Sequence, residues 1–187
     1  ISEREGGVEN FRSLISIAHD YNTEIGVHIN AQEAYPESKS FNNTMVSNGA
    51  SNGWGWLDQS YVIDKLWDLG SEARYKRLVQ FYDRINGTDF YSGDWDAGEY
   101  VKESEGTLNA TMEEISKDAA TRDDNMDFIY LDVWYQDSWE TRRIAEQINS
   151  LGWRFSTEFP YEGEYDSTWS HWATDAAYGG NTTKGYN

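Results

Sequence analysis

The chain has 187 residues, with 15 Lys+Arg against 33 Asp+Glu, a formal net charge of −18, and no cysteine. That charge repels nucleic acid and anionic membrane, which excludes both as partners, and the absence of thiols excludes disulfides and thiolate metal sites. Apolar residues at 38% predict a folded chain, and aromatics at 16%, with 9 Trp and 13 Tyr, exceed what a core needs; such rings suit sugar faces and protein interfaces alike.

In ENFRSLISIAHD (9–20), Phe11, Leu14, Ile15 and Ala18 recur at helical spacing, so a helix is expected there. Asn22 stops it, and EIGVHIN (24–30) reads as a short buried strand. Residues 31–56 are dense in Ser, Asn and Gly and read as a loop, of a length that in a compact domain is usually functional or disordered. Helices are expected over 57–69 and 71–85, followed by a Gly- and Asp-rich connection, NGTDFYSGDWDAGEY, and a helix over about 108–121. MDFIYLDVW is the strongest strand signal. No run of about 18 apolar residues occurs, so no membrane insertion is expected. Sequons at Asn42, Asn86, Asn109 and Asn181 carry little weight in an Asn- and Thr-rich chain. Neither repeat nor linker divides the sequence, and 1–187 reads as a single piece without internal boundary.

The last third reads as a βαβ unit. A strand over 127–134 precedes a helix over about 139–150, capped by Asp137 or Ser138, with Ile144, Ala145 and Ile148 on one face. Gly152 supplies the stop, and a second strand covers 153–159. A crossover this short makes the strands parallel and adjacent or nearly so, and the whole pattern favours an α/β fold. Asp132 and Glu158 then fall near the carboxyl ends of neighbouring strands, about 4.8 Å apart. Two carboxyls so placed approach the ~5–5.5 Å of a retaining glycosidase, against ~6.5–9.5 Å for an inverting one. The bland alternative is that each caps a helix or pairs with Arg154.

Other residues also admit two readings. His28 is a core histidine or a ligand, and Asn30 a backbone-bonding loop residue or a contact. Trp54 and Trp56, at i, i+2, would share one strand face, for sugar stacking or for loop anchoring. His171 and Trp172 complete a pocket or pack beneath it. Glu164 and Asp166, in GEYDST, rival Glu158 as a general acid. TRDDNMD (121–127) has the oxygen ligands calcium favours but no known loop spacing, and reads as a solvated helix end. The classes left open are a retaining glycosidase, a non-catalytic carbohydrate-binding module and an aromatic-rich protein-interaction domain.

Taken together and in order, GVHINAQEAYPESKSF, YLDVW, GWRFSTE and GEYDSTWSHWATDAAYGG resemble the catalytic barrel of glycoside hydrolase family 101, the endo-α-N-acetylgalactosaminidases, over roughly residues 10–60 and 125–182. The resemblance implies part of a (β/α)8 TIM-type barrel, incomplete in this chain, since a whole barrel takes about 250 residues. It implies a retaining endo-glycosidase that releases Gal-β1,3-GalNAc from Ser or Thr of mucin-type O-glycans. Asp132 matches the nucleophile, Glu158 the acid/base, His28 and Asn30 the sugar contacts, and Trp54 and Trp56 a tryptophan pair that lies over the substrate; His171 is taken with the substrate-binding group. No cofactor or metal is implied. The expected partner is an O-glycosylated protein or glycopeptide, and the expected location extracellular or cell-surface. The sequence departs from the family over about 70–105, and its spacing from Asp132 to Glu158 is several residues shorter. The polypeptide is expected to continue before Ile1 and beyond Asn187, bringing the remainder of the catalytic domain.

Overall fold

In a computed structural model of the chain, ENFRSLISIAHD lies within α1 (Gly7–Asp20) and GVHIN forms β1 (Gly26–Asn30), as their two periodicities require. The structure describes residues 6–35, 45–51, 60–70, 72–93, 106–132, 134, 138–157 and 166–170. The chain divides into two units, one of Ile1–Asn30 with Ser116–Asn187 and the other of Ala31–Ile115.

The second unit departs most from the sequence reading. Its elements are β2 (Glu33–Ala34), β3 (Val46–Ser51), β4 (Tyr61–Ile63), α2 (Lys65–Gly70), α3 (Ala73–Asn86), β5 (Tyr91–Ser92), β6 (Thr107–Leu108) and the start of α4 (Met112–Ala119). The expected loop over 31–56 contributes β2 and β3, which flank β4 in an antiparallel sheet. The expected helix over 57–69 gives way to β4 and begins only at Lys65. Tyr61, Val62 and Ile63 are β-formers, and the strand they make is too short to show a period. The Gly- and Asp-rich connection contributes β5, paired antiparallel with β6. α4 starts at Met112 instead of 108 because Thr111 and Glu114 form a capping box: the Glu114 N–H donates to Thr111 Oγ1 at 3.2 Å, and the Thr111 N–H to the Glu114 carboxylate at 2.8 Å.

Two carboxylates, Asp68 buried and Asp83 half-buried, brace this unit. Asp68, 4% exposed, accepts Arg74 Nε at 2.7 Å and also pairs with Arg77. Asp83 accepts the Thr88 hydroxyl (2.6 Å) and the N–H groups of Phe90 (3.1 Å) and Tyr91 (2.7 Å), which ties the end of α3 to β5. Burial pushes the Asp83 carboxyl above its ordinary value even though those three donors favour the anion.

The first unit contains the expected βαβ unit: β7 (Phe128–Asp132), α5 (Ser138–Ser150) and β8 (Arg154–Thr157). β7 and β8 are parallel and adjacent, from Phe128↔Arg154 to Leu131↔Thr157. β1 and β9 (Trp169–Ser170) complete an all-parallel sheet in the order β1-β7-β8-β9. Gly26 lets β1 approach β7, since a Cβ there would meet the Phe128 carbonyl oxygen at 2.2 Å.

Along β7 burial alternates. Ile129 and Leu131 are fully buried, while Phe128, Tyr130 and Asp132 are partly exposed. One sheet face therefore feeds the core, where Phe155, Ile144, Ile148 and Leu151 are also fully buried. The helix ends at Gly152, whose φ of 76° lies in the left-handed region that favours glycine. Asn125 closes this end: it donates to the Leu151 carbonyl (2.7 Å) and accepts the indole N–H of buried Trp153 (2.8 Å). No helix among the described residues is long and apolar enough to cross a membrane.

Candidate active site

One face of the sheet gathers polar groups toward its carboxyl end. β1 and β7 pair in register, with His28 opposite Tyr130 and Asn30 opposite Asp132. Because strand side chains alternate, these four residues share one face. The Asp132 side chain is 23% exposed and that of His28 62%. His28 Nε2 lies 3.7 Å from Asp132 Oδ2, an ion-pair separation just beyond hydrogen-bonding range. The imidazole is stacked on Tyr130, with ring centroids 5.2 Å apart and planes 15° from parallel.

The neighbouring elements fix where Asp132 sits. On the β8 side, the Thr157 hydroxyl donates to the Leu131 carbonyl at 3.1 Å, joining the ends of the two strands. Beyond Asp132, the indole of buried Trp134 donates to Thr141 Oγ1 of α5 at 2.8 Å. The carboxylate is thus bracketed by two anchors, one before it and one after it. Ser156, opposite Tyr130, is fully buried, and its hydroxyl has no hydrogen-bond partner among the described residues.

Of the residues expected at a site, the structure brings together His28, Asn30 and Asp132. Glu158, Trp54, Trp56 and His171 lie outside the described residues, as do Glu164 and Trp172. Asp166 is described, and its carboxylate lies 3.8 Å from Arg142 Nε. Arg154, the cation considered as a neutralising partner for Asp132, instead pairs with Glu24 at the amino end of the sheet. Tyr130 went unnoticed in the sequence, although its position two residues before Asp132 on a strand is the signal for a shared face.

Two cavities, of about 500 and 490 Å³, occur at the opposite end; His19, Arg122 and Asp123 line both, and Thr23, Glu24, Asp127 and Gly152 line the second. There His19 Nε2 meets Asp127 Oδ2 at 3.0 Å, and Nδ1 meets the Asp123 carbonyl at 3.1 Å. Asp127 also accepts the Ile25 N–H at 2.8 Å. The hydrogen bond to Asp127, with lesser help from neighbouring acceptors and charges, outweighs burial and raises the His19 pKa. Arg122 pairs with Asp118 (2.6 Å) and Asp124 (3.6 Å). Within the run 121–127, Asp127 is bound into the fold while Asp123 and Asp124 are exposed, and open α/β sheets bind ligands at the carboxyl end instead.

A carboxylate held at a strand end, with an imidazole and an amide on the next strand, can act as a nucleophile or base toward a hydroxyl-rich ligand. The chain matches the family described as "Endo-alpha-N-acetylgalactosaminidase" over residues 1–101 and 94–187. It is 32% identical over 180 residues to a protein of Renibacterium salmoninarum named "Putative endo-alpha-N-acetylgalactosaminidase". That likeness covers 96% of this chain and 9% of the relative, so the chain spans only a small part of the curated protein it matches.

Proposed function

We propose a function from one premise: this chain belongs to the endo-alpha-N-acetylgalactosaminidase family of glycoside hydrolases, which it matches along its length. Its parallel sheet is an arc of a (β/α)8 barrel, both units are parts of one catalytic domain, and the rest of the polypeptide completes the barrel. The enzyme works outside the cell on mucin-type O-glycans and releases Gal-β1,3-GalNAc from Ser or Thr. Its partner is an O-glycosylated protein or glycopeptide.

Two carboxylates carry the reaction. Asp132 attacks the anomeric carbon from the β face while Glu158 gives its proton to the departing Ser or Thr oxygen. The product of this step is a β-linked glycosyl-enzyme. Glu158, now a carboxylate, takes a proton from water, which attacks from the α face and frees Asp132. Net retention follows from two inversions. His28 and Asn30 contact the sugar from the adjacent strand, His171 joins them, and Trp54 and Trp56 cover the substrate.

The observation that carries this reading is the register of β7 with β8. Asp132 ends β7, Leu131 pairs with Thr157, and Glu158 is the next residue in the chain. The test uses the full-length polypeptide and a Gal-β1,3-GalNAc-α-Ser/Thr glycopeptide, followed by proton NMR from the first minutes. Disaccharide appearing first as the α anomer is expected. The β anomer appearing first, or release of galactose alone, would overturn the proposal.

A further inference from the structure

Tyr130 has no part in the mechanism above, yet it lies within the site. It is the register partner of His28, and β7 is an interior strand, paired on both sides, so the Tyr130 backbone is fixed. The His28 side chain, 62% exposed, has no such restraint from burial. Its Nε2 nevertheless faces Asp132 Oδ2 at 3.7 Å, a separation too long for a hydrogen bond to hold the ring. What the imidazole does touch is the face of Tyr130, at 5.2 Å between centroids and 15° from parallel. A nearly parallel ring contact restricts both torsions of the imidazole, whereas a single polar contact would leave it free to rotate about its own axis.

We propose that Tyr130 is a positioning residue: its ring fixes the His28 imidazole beside the Asp132 carboxylate, in the orientation that meets the sugar. The inference rests on the reading of Asp132 as nucleophile and His28 as sugar contact. A stacked aromatic pair biases such an equilibrium by roughly 2- to 12-fold. Tyr130→Leu in the full-length polypeptide should therefore lower kcat/KM on the glycopeptide by roughly 3- to 10-fold. Tyr130→Phe keeps the ring and should stay within about twofold of wild type.

A double-mutant cycle separates positioning from a merely structural role. In a His28→Ala background, Tyr130→Leu should cost nothing further; an equal loss with and without His28 overturns the inference while leaving the glycosidase reading intact. Tyr130→Thr, β-branched and suited to a strand, replaces Tyr130→Leu if the latter does not fold. A second readout is independent of turnover: carbethoxylation of His28 by diethyl pyrocarbonate, followed by peptide mass spectrometry, should quicken by roughly 3- to 10-fold in Tyr130→Leu. If the wild-type polypeptide releases no glycan, the functional reading falls and this rate alone decides. An unchanged rate at His28 then overturns the role of Tyr130, and a faster one sustains it.

Discussion

Asn30 and Asp132 are register partners at the last positions of two adjacent parallel strands. Such partners lie about 4.8 Å apart, so an amide and a carboxylate flank one point on the carboxyl edge of the sheet. The amino edge is built differently. There Asp127 binds the Ile25 N–H, just before β1, and His19 at once, and Arg154 pairs with Glu24. The amino edge is tied through carboxylates, whereas at the carboxyl edge the described link is the Thr157 hydroxyl on the Leu131 carbonyl.

Asp132→Ala should abolish turnover of every glycoside substrate by the full-length polypeptide, by at least about 10³-fold in kcat, because no other group can form the covalent intermediate. The unfolding midpoint should move little, since the Asp132 side chain is partly exposed. Steady-state kinetics and a thermal melt on the same preparation check both halves. Retained turnover would remove Asp132 from the mechanism.

Gly26→Ala tests the coupling of β1 to β7. The new Cβ would sit 2.2 Å from the Phe128 carbonyl oxygen and 2.6 Å from its ring, so the strands must part at that end. Overpacking of this kind costs about 1–3 kcal/mol, and backbone can yield less than a side chain. A fall in denaturation midpoint together with a loss of kcat/KM is expected, because His28 and Asn30 ride on the displaced strand. Unchanged stability would mean that β1 does not pack on β7 as described.

How much of this was legible in the sequence depends on how local each feature is. The unit from Phe128 to Thr157 could be read because period-two burial, period-3.6 burial and the Gly152 stop lie close together. The pairing of β1 with β7 could not, since the two strands are separated by the whole second unit and no local pattern names a distant partner. Strands of two or three residues, such as β2, β4, β5 and β6, are too short to show any period, so 57–69 read as helix. The start of α4 was legible but unread: Thr111 and Glu114 spell a capping box. At the site, Asp132, His28 and Asn30 were legible as strand-end polar residues, whereas Tyr130 became visible only when the register set it against His28.

Stability should depend on pH through His19. Its ring nitrogens face a carboxylate oxygen and a carbonyl oxygen, both acceptors, which favours the doubly protonated ring and raises the folded-state pKa above 6.5. The sign follows from linkage. The stabilisation is fully present below about 6.5, the unfolded value, and is lost as pH rises through the higher folded value. His19→Gln should therefore lower the melting temperature clearly at pH 5.5 and hardly at all at pH 9. Equal lowering at both pH values would show that the imidazole acts by shape and not by charge.

Glu158→Ala should separate the two chemical steps. Loss of the acid matters greatly when the leaving group is a Ser or Thr alkoxide, which needs a proton, and little when it is an activated phenolate. The variant should therefore be nearly inactive on glycopeptide yet still form the glycosyl-enzyme from an aryl α-glycoside, giving a burst of phenol. Hydrolysis then stalls, because no carboxylate remains to deprotonate water. Azide needs no base, fits the space the side chain vacated, and should restore steady turnover. It must displace Asp132 from the face opposite the β-linked ester, so the expected product is the α-glycosyl azide, identified by its anomeric proton coupling. A β-azide would mean that the intermediate is α-linked and the nucleophile lies on the other face. Full activity of Glu158→Ala on glycopeptide would move the acid role elsewhere, with Glu164 and Asp166 the next candidates.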